Sequence, residues 1–186
     1  MRTRPEEASG CARRIEVEVT DTSISDGKMS EARALVTLRC AVADEMTRVF
    51  GDGHWSARPC RRKVVRQLRA SQVLVARRGA DIVGTVRLVW PLTWAIDSRG
   101  FTPVDKALYV LGLAVAPEFR GQQIGRQLMD AAKDRARTSG AQALWLDAYE
   151  HEAGAGPFYM KCGFRKVGAT NYRGVPLTYF EWSGTA

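Results

Sequence analysis

The most restrictive feature of the sequence is an apolar strand pattern that leads directly into a glycine-containing loop and a long helix. Residues 107–115 are strongly apolar and contain a glycine, which predicts a central strand that ends before Pro117. Residues 121–138 carry apolar side chains at four-residue intervals, which predicts a helix closed by Gly140. This order places the free amides of the helix N-terminus beside the end of a sheet strand.

The loop between this strand and this helix is suited to bind phosphate groups. The first amides of a helix have no partner within it, and the helix dipole places about half a positive charge there. Gly121 and Gly125 allow the backbone to approach a ligand closely, and Arg120 and Arg126 add positive charge. The sequence contains neither the G-K-[ST] pattern of a P-loop nor the G-x-G-x-x-G dinucleotide fingerprint. The alternative is a surface turn with two helix-ending glycines.

The segment from Val115 to Gly125 resembles the acetyl-CoA motif of the GNAT superfamily of N-acetyltransferases. That motif reads Gln/Arg-x-x-Gly-x-Gly/Ala; Arg120 and Gly125 match its ends, and Gln123 replaces its middle glycine. The resemblance implies that backbone amides hold the pyrophosphate of acetyl-CoA and that the preceding strand pairs with the pantetheine arm. The implied cofactor-binding residues are Leu113, Ala114, Val115, Arg120, Gly121, Gln122, Gln123, Ile124, Gly125, Arg126 and Phe158.

A second segment carries a tyrosine that is suited to act as a general acid. Tyr159, followed by Gly163 and Phe164, resembles the GNAT segment in which a helix ends in Tyr-x-x-x-Gly-Phe. The resemblance implies that Tyr159 donates a proton to the departing CoA sulfur. A phenol, with a reference pKa of about 10, is protonated at neutral pH, whereas a thiol has a pKa of about 8.5. A core tyrosine is the alternative, and Glu152 stands where the family often has an asparagine.

The acceptor amine must lose a proton before it attacks, because an ammonium has a pKa of about 10.4. The first candidate for the base is Asp147, which shares one strand face with Trp145 and Tyr149. Aromatic and acidic loop residues would suit a cationic, partly apolar amine. The predicted acceptor-site residues, three of them also candidate bases, are His54, Trp55, Trp94, Asp97 and Glu150. A cap, turn or surface salt bridge is the alternative role for each acid.

The remaining segments complete one domain over residues 15–186, preceded by a disordered tail over 1–14. Predicted helices span 30–50, 61–70 and 155–162; the other predicted strands span 15–20, 72–77, 81–90, 143–148, 165–168 and 177–182, with a polar break at 23–28. Together with the resemblance, this order predicts an α/β (α+β) GNAT fold. Its sheet is mixed, mainly antiparallel and seven-stranded, with flanking helices and two central parallel strands splayed at their C-terminal ends.

Composition limits the partners. The net charge of +8 is compatible with nucleic acid or with a phosphate-rich ligand, and its densest basic group, at residues 58–69, is best interpreted as a solvated helix face. We therefore expect no nucleic-acid partner. No run approaches the ~20 apolar residues of a membrane helix, and no signal peptide is evident, so we expect no membrane and a cytoplasmic location. Four cysteines without C-x-x-C spacing and two histidines make a metal site improbable.

The sequence thus predicts an acetyl-CoA-dependent N-acetyltransferase that moves acetyl directly to an amine, most simply that of a small molecule. A covalent cysteine intermediate has no supporting residues. A protein N-terminus or lysine is the alternative acceptor, and a non-catalytic module that binds acyl-CoA or nucleic acid is the alternative class. A homodimer is compatible with all of these interpretations.

Overall fold

The computed structural model describes residues 21–90, 98–172 and 174–184. The strands are β1 Ser23–Asp26, β2 Gln72–Arg78, β3 Asp81–Val89, β4 Ala107–Val115, β5 Ala143–Tyr149, β6 Arg165–Tyr172 and β7 Val175–Ser183. The α-helices are α1 Ala32–Phe50, α2 Arg61–Ala70, α3 Ile124–Thr138 and α4 Gly156–Lys161. Short 3₁₀ turns lie at Met29–Glu31, His54–Ser56, Ser98–Gly100 and Pro117–Phe119.

The seven strands form one sheet in the order β1-β2-β3-β4-β5-β7-β6. Neighbouring strands are antiparallel except β4 and β5, which are parallel. The crossover between these two strands is α3, as expected for a parallel pair joined by a helix. The predicted mixed, mainly antiparallel seven-stranded sheet is confirmed.

The two parallel strands separate soon after they begin. They pair only at Ala107–Ala143, Leu108–Leu144 and Tyr109–Trp145, although β4 continues to Val115 and β5 to Tyr149. A bulge in β4 accompanies the separation, since Arg87 of β3 faces Leu111 while Thr85 faces Ala114. Gly112 lies in this bulge with φ 60°, a conformation that glycine adopts without steric cost. The predicted splay of the central strands is present.

Helices cover both faces of the sheet because strand side chains alternate between the faces. On one face, α3 buries Ile124, Leu128, Met129, Ala132 and Ala136 against strand residues such as Leu144 and Leu146. On the other face, α1 and α2 place Leu35 and Val64 against Val73 and Val75. Further along that second face, Tyr109 and Trp145 pack with Phe101 and Tyr179. None of the described helices is long and apolar enough to cross a membrane.

Several predicted boundaries were wrong. The predicted break at 23–28 contains edge strand β1, which pairs with β2 from Ser23–Arg77 to Asp26–Leu74 despite its polar side chains. Helix α3 begins at Ile124 rather than 121, because Gly121 and Gln123 have positive φ values of 77° and 61°. Helix α1 begins at Ala32 after a 3₁₀ turn, and β6 and β7 are longer than predicted. The predicted tail at 1–14 and strand at 15–20 lie outside the described residues.

Candidate active site

The turn that leads from β4 into α3 leaves a group of backbone amides open. The amide of Gln127 is the first to close a helical hydrogen bond, to the carbonyl of Gln123 at 3.0 Å. Within the described parts of the chain, the amides of residues 122–126 have no hydrogen-bond acceptor. No side chain caps the helix either. These open amides and the positive end of the helix dipole lie where the sequence predicts an anion site.

Two residues with left-handed backbone shape this turn. A Cβ built on Gly121 would meet nothing within 4 Å, so the backbone there is bare. Gln123, in place of the motif's middle glycine, has φ 61° and an exposed side chain. A residue with a Cβ pays about 1 kcal/mol for such a conformation. The substitution therefore keeps the backbone geometry that glycine would adopt, with the side chain directed into solvent.

Arg78 supports the turn and was not predicted. Its guanidinium donates a hydrogen bond to Oε1 of Gln122, and its Cζ lies 5.3 Å from the centre of the Phe119 ring. The Gln122 amide in turn donates to the carbonyl of Glu118 at 3.3 Å. Arg78 adds positive charge beside the open amides, together with the exposed Arg120 and Arg126. No local pattern links the last residue of β2 to a loop more than 40 residues away, so sequence reasoning could not find it.

Gly125 has a packing role in addition to the one predicted for it. A Cβ built on this glycine would lie 3.3 Å from Cζ of Phe158 and 3.7 Å from Cγ2 of Val115. The glycine therefore lets Phe158 of α4 pack directly on the first turn of α3. The two segments that carry the family resemblance are joined at this contact, which also positions the neighbouring Tyr159.

Tyr159 is buried, with 9% of its surface exposed, among the rings of Phe158, Phe164 and Phe180. Burial, and secondarily the charge of Asp147, raises the pKa of the Tyr159 phenol well above its ordinary value. No described residue forms a hydrogen bond with its hydroxyl group. The tyrosine is thus part of the core, and its protonated hydroxyl is left free to donate.

Asp147 lies beyond Trp145, the last residue of β5 that pairs with β4, on the face of the sheet that α1 and α2 cover. Its Oδ1 accepts a hydrogen bond of 2.5 Å from the hydroxyl of Tyr109, a residue only 1% exposed. Burial first, and then Asp147, raises the pKa of Tyr109. The same carboxylate also raises the pKa of Tyr149 and Tyr159, after burial in each case. It is therefore surrounded by phenols at the point where the strands diverge.

The other predicted acceptor-site residues fall into three groups. The loop after α1 brings His54 and Trp55 to Tyr149 at the end of β5, with ring centres 5.7 and 5.9 Å apart. Glu150 is exposed and lies 3.8 Å from Nζ of Lys166, which supports the surface salt-bridge alternative. Trp94 and Asp97 lie outside the described residues. His54 and Trp55 therefore lie together at the end of β5, whereas Glu150 lines a second cleft with Tyr149 and His151.

A cleft of about 190 Å³ lies between α1, α2 and the bulge of β4. The predicted pantetheine-binding residues Leu113 and Ala114 form one wall, and Trp55 forms part of another. Arg39 of α1 and Arg87 of β3 also line it. Sequence reasoning missed both arginines, because an isolated arginine in a helix or strand carries no motif. The cleft is a place where an acceptor can reach the gap between the strands.

The three described cysteines show no catalytic arrangement. Cys40, Cys60 and Cys162 are free thiols, and Cys162 is buried in the main core. Burial raises the pKa of the Cys162 thiol, which keeps it protonated and unreactive. In the described residues, no group of three or more His, Cys, Asp or Glu side chains is arranged to hold a metal ion.

The open amide turn, the edge of β4 that is not paired with β5 beyond Tyr109, and the buried tyrosine suit a ligand that carries both a phosphate group and an extended arm. The arm would enter between β4 and β5, and its reactive end would meet Tyr159 and Asp147. Coenzyme A fits these residues, because the turn offers amides and arginines to a diphosphate and β4 offers an open edge to amide groups.

Residues 41–164 match the model of the Acetyltransferase (GNAT) family, and the chain belongs to this family. The chain is 35% identical over 108 residues to a protein named IAA acetyltransferase from Azospirillum brasilense, an alignment that covers 58% of this chain and 63% of that protein. It is 39% identical over 77 residues to streptothricin acetyltransferase from Streptomyces lavendulae, covering 39% and 41% respectively. The matched region thus spans less than two thirds of either relative.

Solved structures share the fold at lower sequence identity. The PaiA N-acetyltransferase of Thermoplasma acidophilum, solved in complex with coenzyme A, superposes with a TM-score of 0.66 at 15% identity. The match covers 88% of this chain and 99% of that one. At this identity the likeness establishes the architecture, and the predicted GNAT fold is confirmed.

Proposed function

We propose that the protein is an acetyl-CoA-dependent N-acetyltransferase that moves the acetyl group directly to an amine of a small molecule. One observation carries the proposal: open amides lie at the start of α3, just after β4, and Tyr159, whose hydroxyl has no hydrogen-bond partner among the described residues, is near enough to Asp147 to be affected by its charge.

The cofactor is held mainly by backbone groups. The amides of residues 122–126 would bind its diphosphate, and Arg78, Arg120 and Arg126 would neutralise the charge. Beyond Tyr109, β4 no longer pairs with β5, so the backbone of residues 113–115 is available to pair with the pantetheine arm. The side chain of Ile124 is only 1% exposed, so this residue contributes its amide and anchors the turn in the core.

Two side chains are placed to move protons. Tyr159 would donate its proton to the sulfur as the thiol leaves, and its raised pKa keeps that proton available at every physiological pH. Asp147 would accept the proton of the attacking ammonium, directly or through water. The hydrogen bond from Tyr109 fixes the orientation of this carboxylate, which leaves its second oxygen for the acceptor. The C–N bond forms and the C–S bond breaks as the neutral amine attacks. Of the two protons that the ammonium loses, Asp147 passes one to solvent, and the other replaces the proton that Tyr159 gives to sulfur.

A small acceptor is supported by the size of the cleft and by the names of the relatives. The cleft of about 190 Å³ suits a small molecule better than a folded protein surface. Both curated relatives are named for low-molecular-weight compounds rather than for proteins. Acetylation of a protein N-terminus would require room for an extended peptide beyond the aromatic residues Trp55 and Tyr149.

The experiment is an assay of thiol release from acetyl-CoA with a panel of small amines beside N-terminal and lysine-containing peptides. We expect turnover of a subset of small amines and slow or no turnover of peptides. Fast turnover of peptides alone would contradict the choice of acceptor. Tight binding of coenzyme A without turnover on any member would instead support a non-catalytic acyl-CoA-binding module.

A further inference from the structure

Two arginines face the cleft with no acidic partner among the described residues. Arg39 on α1 and Arg87 on β3 are both partly buried, and the Nε atom of each is fully buried without a hydrogen bond. Arg39 donates from Nη1 to Oε1 of Gln67 at 2.5 Å, a neutral partner. Among the described residues, neither arginine forms a salt bridge, whereas seven other arginines and lysines of the same region and of α3 do.

Two partly buried guanidinium groups close to each other are unfavourable unless an anion binds between them. Burial lowers the pKa of both guanidinium groups, and the charge of Arg39 lowers that of Arg87 further. Buried cations are normally paired, because their desolvation is otherwise uncompensated. The acids nearest in sequence to Arg39 are committed elsewhere: Asp44 pairs with Arg58 and Glu45 pairs with Arg48. The two arginines therefore have an open capacity for an anion within the cleft.

The position of the pair relates it to the acceptor. Arg87 faces Leu111 across the β3–β4 ladder, and alternation along these strands puts both residues on the face that carries Tyr109 and Asp147. Nη2 of Arg39 lies 3.5 Å from a Cβ built on Gly112, in the bulge just before the predicted pantetheine-binding residues. The arginines thus lie next to the path along which the acetyl group would arrive.

We propose that Arg39 and Arg87 bind a carboxylate carried by the acceptor, so that the substrates are amino acids or related amines that bear a carboxylate. This inference rests on the proposed function and specifies its acceptor. A planar carboxylate matches the planar donor fork of a guanidinium, and two such forks can hold both of its oxygens. An amine without an acidic group would leave both arginines unpaired, and a polycationic amine would be repelled by them.

The test compares matched acceptors in the thiol-release assay. Each amino acid of a panel is measured beside its carboxamide and its decarboxylated amine, which keep the side chain and remove the charge. We expect kcat/KM to be about 10- to 100-fold higher for the carboxylate in the preferred pair, because loss of a charge-assisted contact to buried donors has an effect of this order. Arg39→Gln and Arg87→Gln should each remove most of this preference by raising KM, with little effect on the carboxamide.

Arg66→Gln is the matched control, because Arg66 is exposed on α2 and lies outside the cleft. It should leave kcat/KM unchanged for all acceptors. Inorganic phosphate and phosphorylated amines are included as competitors; a preference for phosphorylated amines over carboxylates would overturn the proposed chemistry. Equal turnover of carboxylates and carboxamides, insensitive to both arginine variants, would overturn the inference and leave the acetyltransferase intact. No turnover with any amine would reject the proposed function itself.

Discussion

The substitution Tyr159→Phe separates catalysis from folding more cleanly than any other change in this site. It removes one hydroxyl and keeps the ring contacts with Phe158, Phe164 and Phe180, whose centres lie 5.4 to 6.1 Å away. No described residue bonds to that hydroxyl, so no partner is left unsatisfied. The hydroxyl oxygen of Tyr159 is not among the fully buried unpartnered atoms, so its removal relieves no desolvation cost and the free energy of unfolding should stay within about 0.5 kcal/mol.

The expected effect on turnover is large. A positioned general acid contributes about 10²- to 10⁴-fold, which corresponds to about 2.7–5.4 kcal/mol of barrier. We therefore expect kcat to fall by that factor while the affinity for coenzyme A, measured by calorimetry, changes less than about twofold. Deprotonation of Tyr159 should not reduce the activity of the wild-type protein up to about pH 10, because burial raises the pKa of this phenol above its ordinary value of about 10.

The assay is steady-state thiol release at saturating acetyl-CoA, with thermal unfolding of both proteins measured in parallel. A variant that folds and binds coenzyme A normally yet turns over at the wild-type rate would refute the role of Tyr159. A variant with a much lower melting temperature would refute the claim that the hydroxyl has no structural partner.

Three further outcomes test other parts of the account. Gln123→Gly should change the free energy of unfolding by less than about 1 kcal/mol, because glycine adopts the left-handed conformation without strain but gives the unfolded chain more conformational entropy. Gln123→Val should lower the free energy of unfolding by about 1–2 kcal/mol, measured by urea unfolding. Arg87→Met should raise the free energy of unfolding by about 1–3 kcal/mol, because an uncompensated buried charge is removed; a loss would mean that Arg87 already has a partner. Stability should fall as pH rises above about 10, because the folded-state pKa values of Tyr109 and Tyr159 are raised and unfolding then releases protons. Alkaline unfolding of Tyr109→Phe should show a shallower decline.

Much of the fold could be predicted because its determinants are local. The apolar run of β4, the four-residue spacing of α3 and the Pro157–Gly163 boundaries of α4 each predict an element within a few residues of its observed bounds. The edge strand β1 could not be predicted, since the sequence SISD has no apolar pattern and is held by its pairing with β2. The start of α3 was missed because the left-handed conformation of Gln123 has no signal in a non-glycine residue.

The residues of the candidate site also fall into those that a local motif predicts and those that depend on contacts between distant parts of the sequence. The amide turn and Tyr159 were predictable because motifs place them within short segments. Arg39, Arg78 and Arg87 were not, because each acts through neighbours that are distant in sequence, such as Gln67 for Arg39 and Gln122 for Arg78. The contact between Gly125 and Phe158 was also unpredictable, as it depends on how α4 packs on α3. Long-range packing therefore determines the acceptor side of the site more than the cofactor side.

The central claim is that free amides of the turn at residues 121–126 bind the diphosphate of the nucleotide. Calorimetry with coenzyme A, 3′-dephospho-coenzyme A and pantetheine tests it, because pantetheine alone lacks the diphosphate, together with the adenosine attached to it. We predict that both nucleotides bind and that pantetheine binds at least about 100-fold more weakly, since several charge-assisted hydrogen bonds are lost. Equal binding of pantetheine and coenzyme A, or no heat with any of the three, would contradict the account.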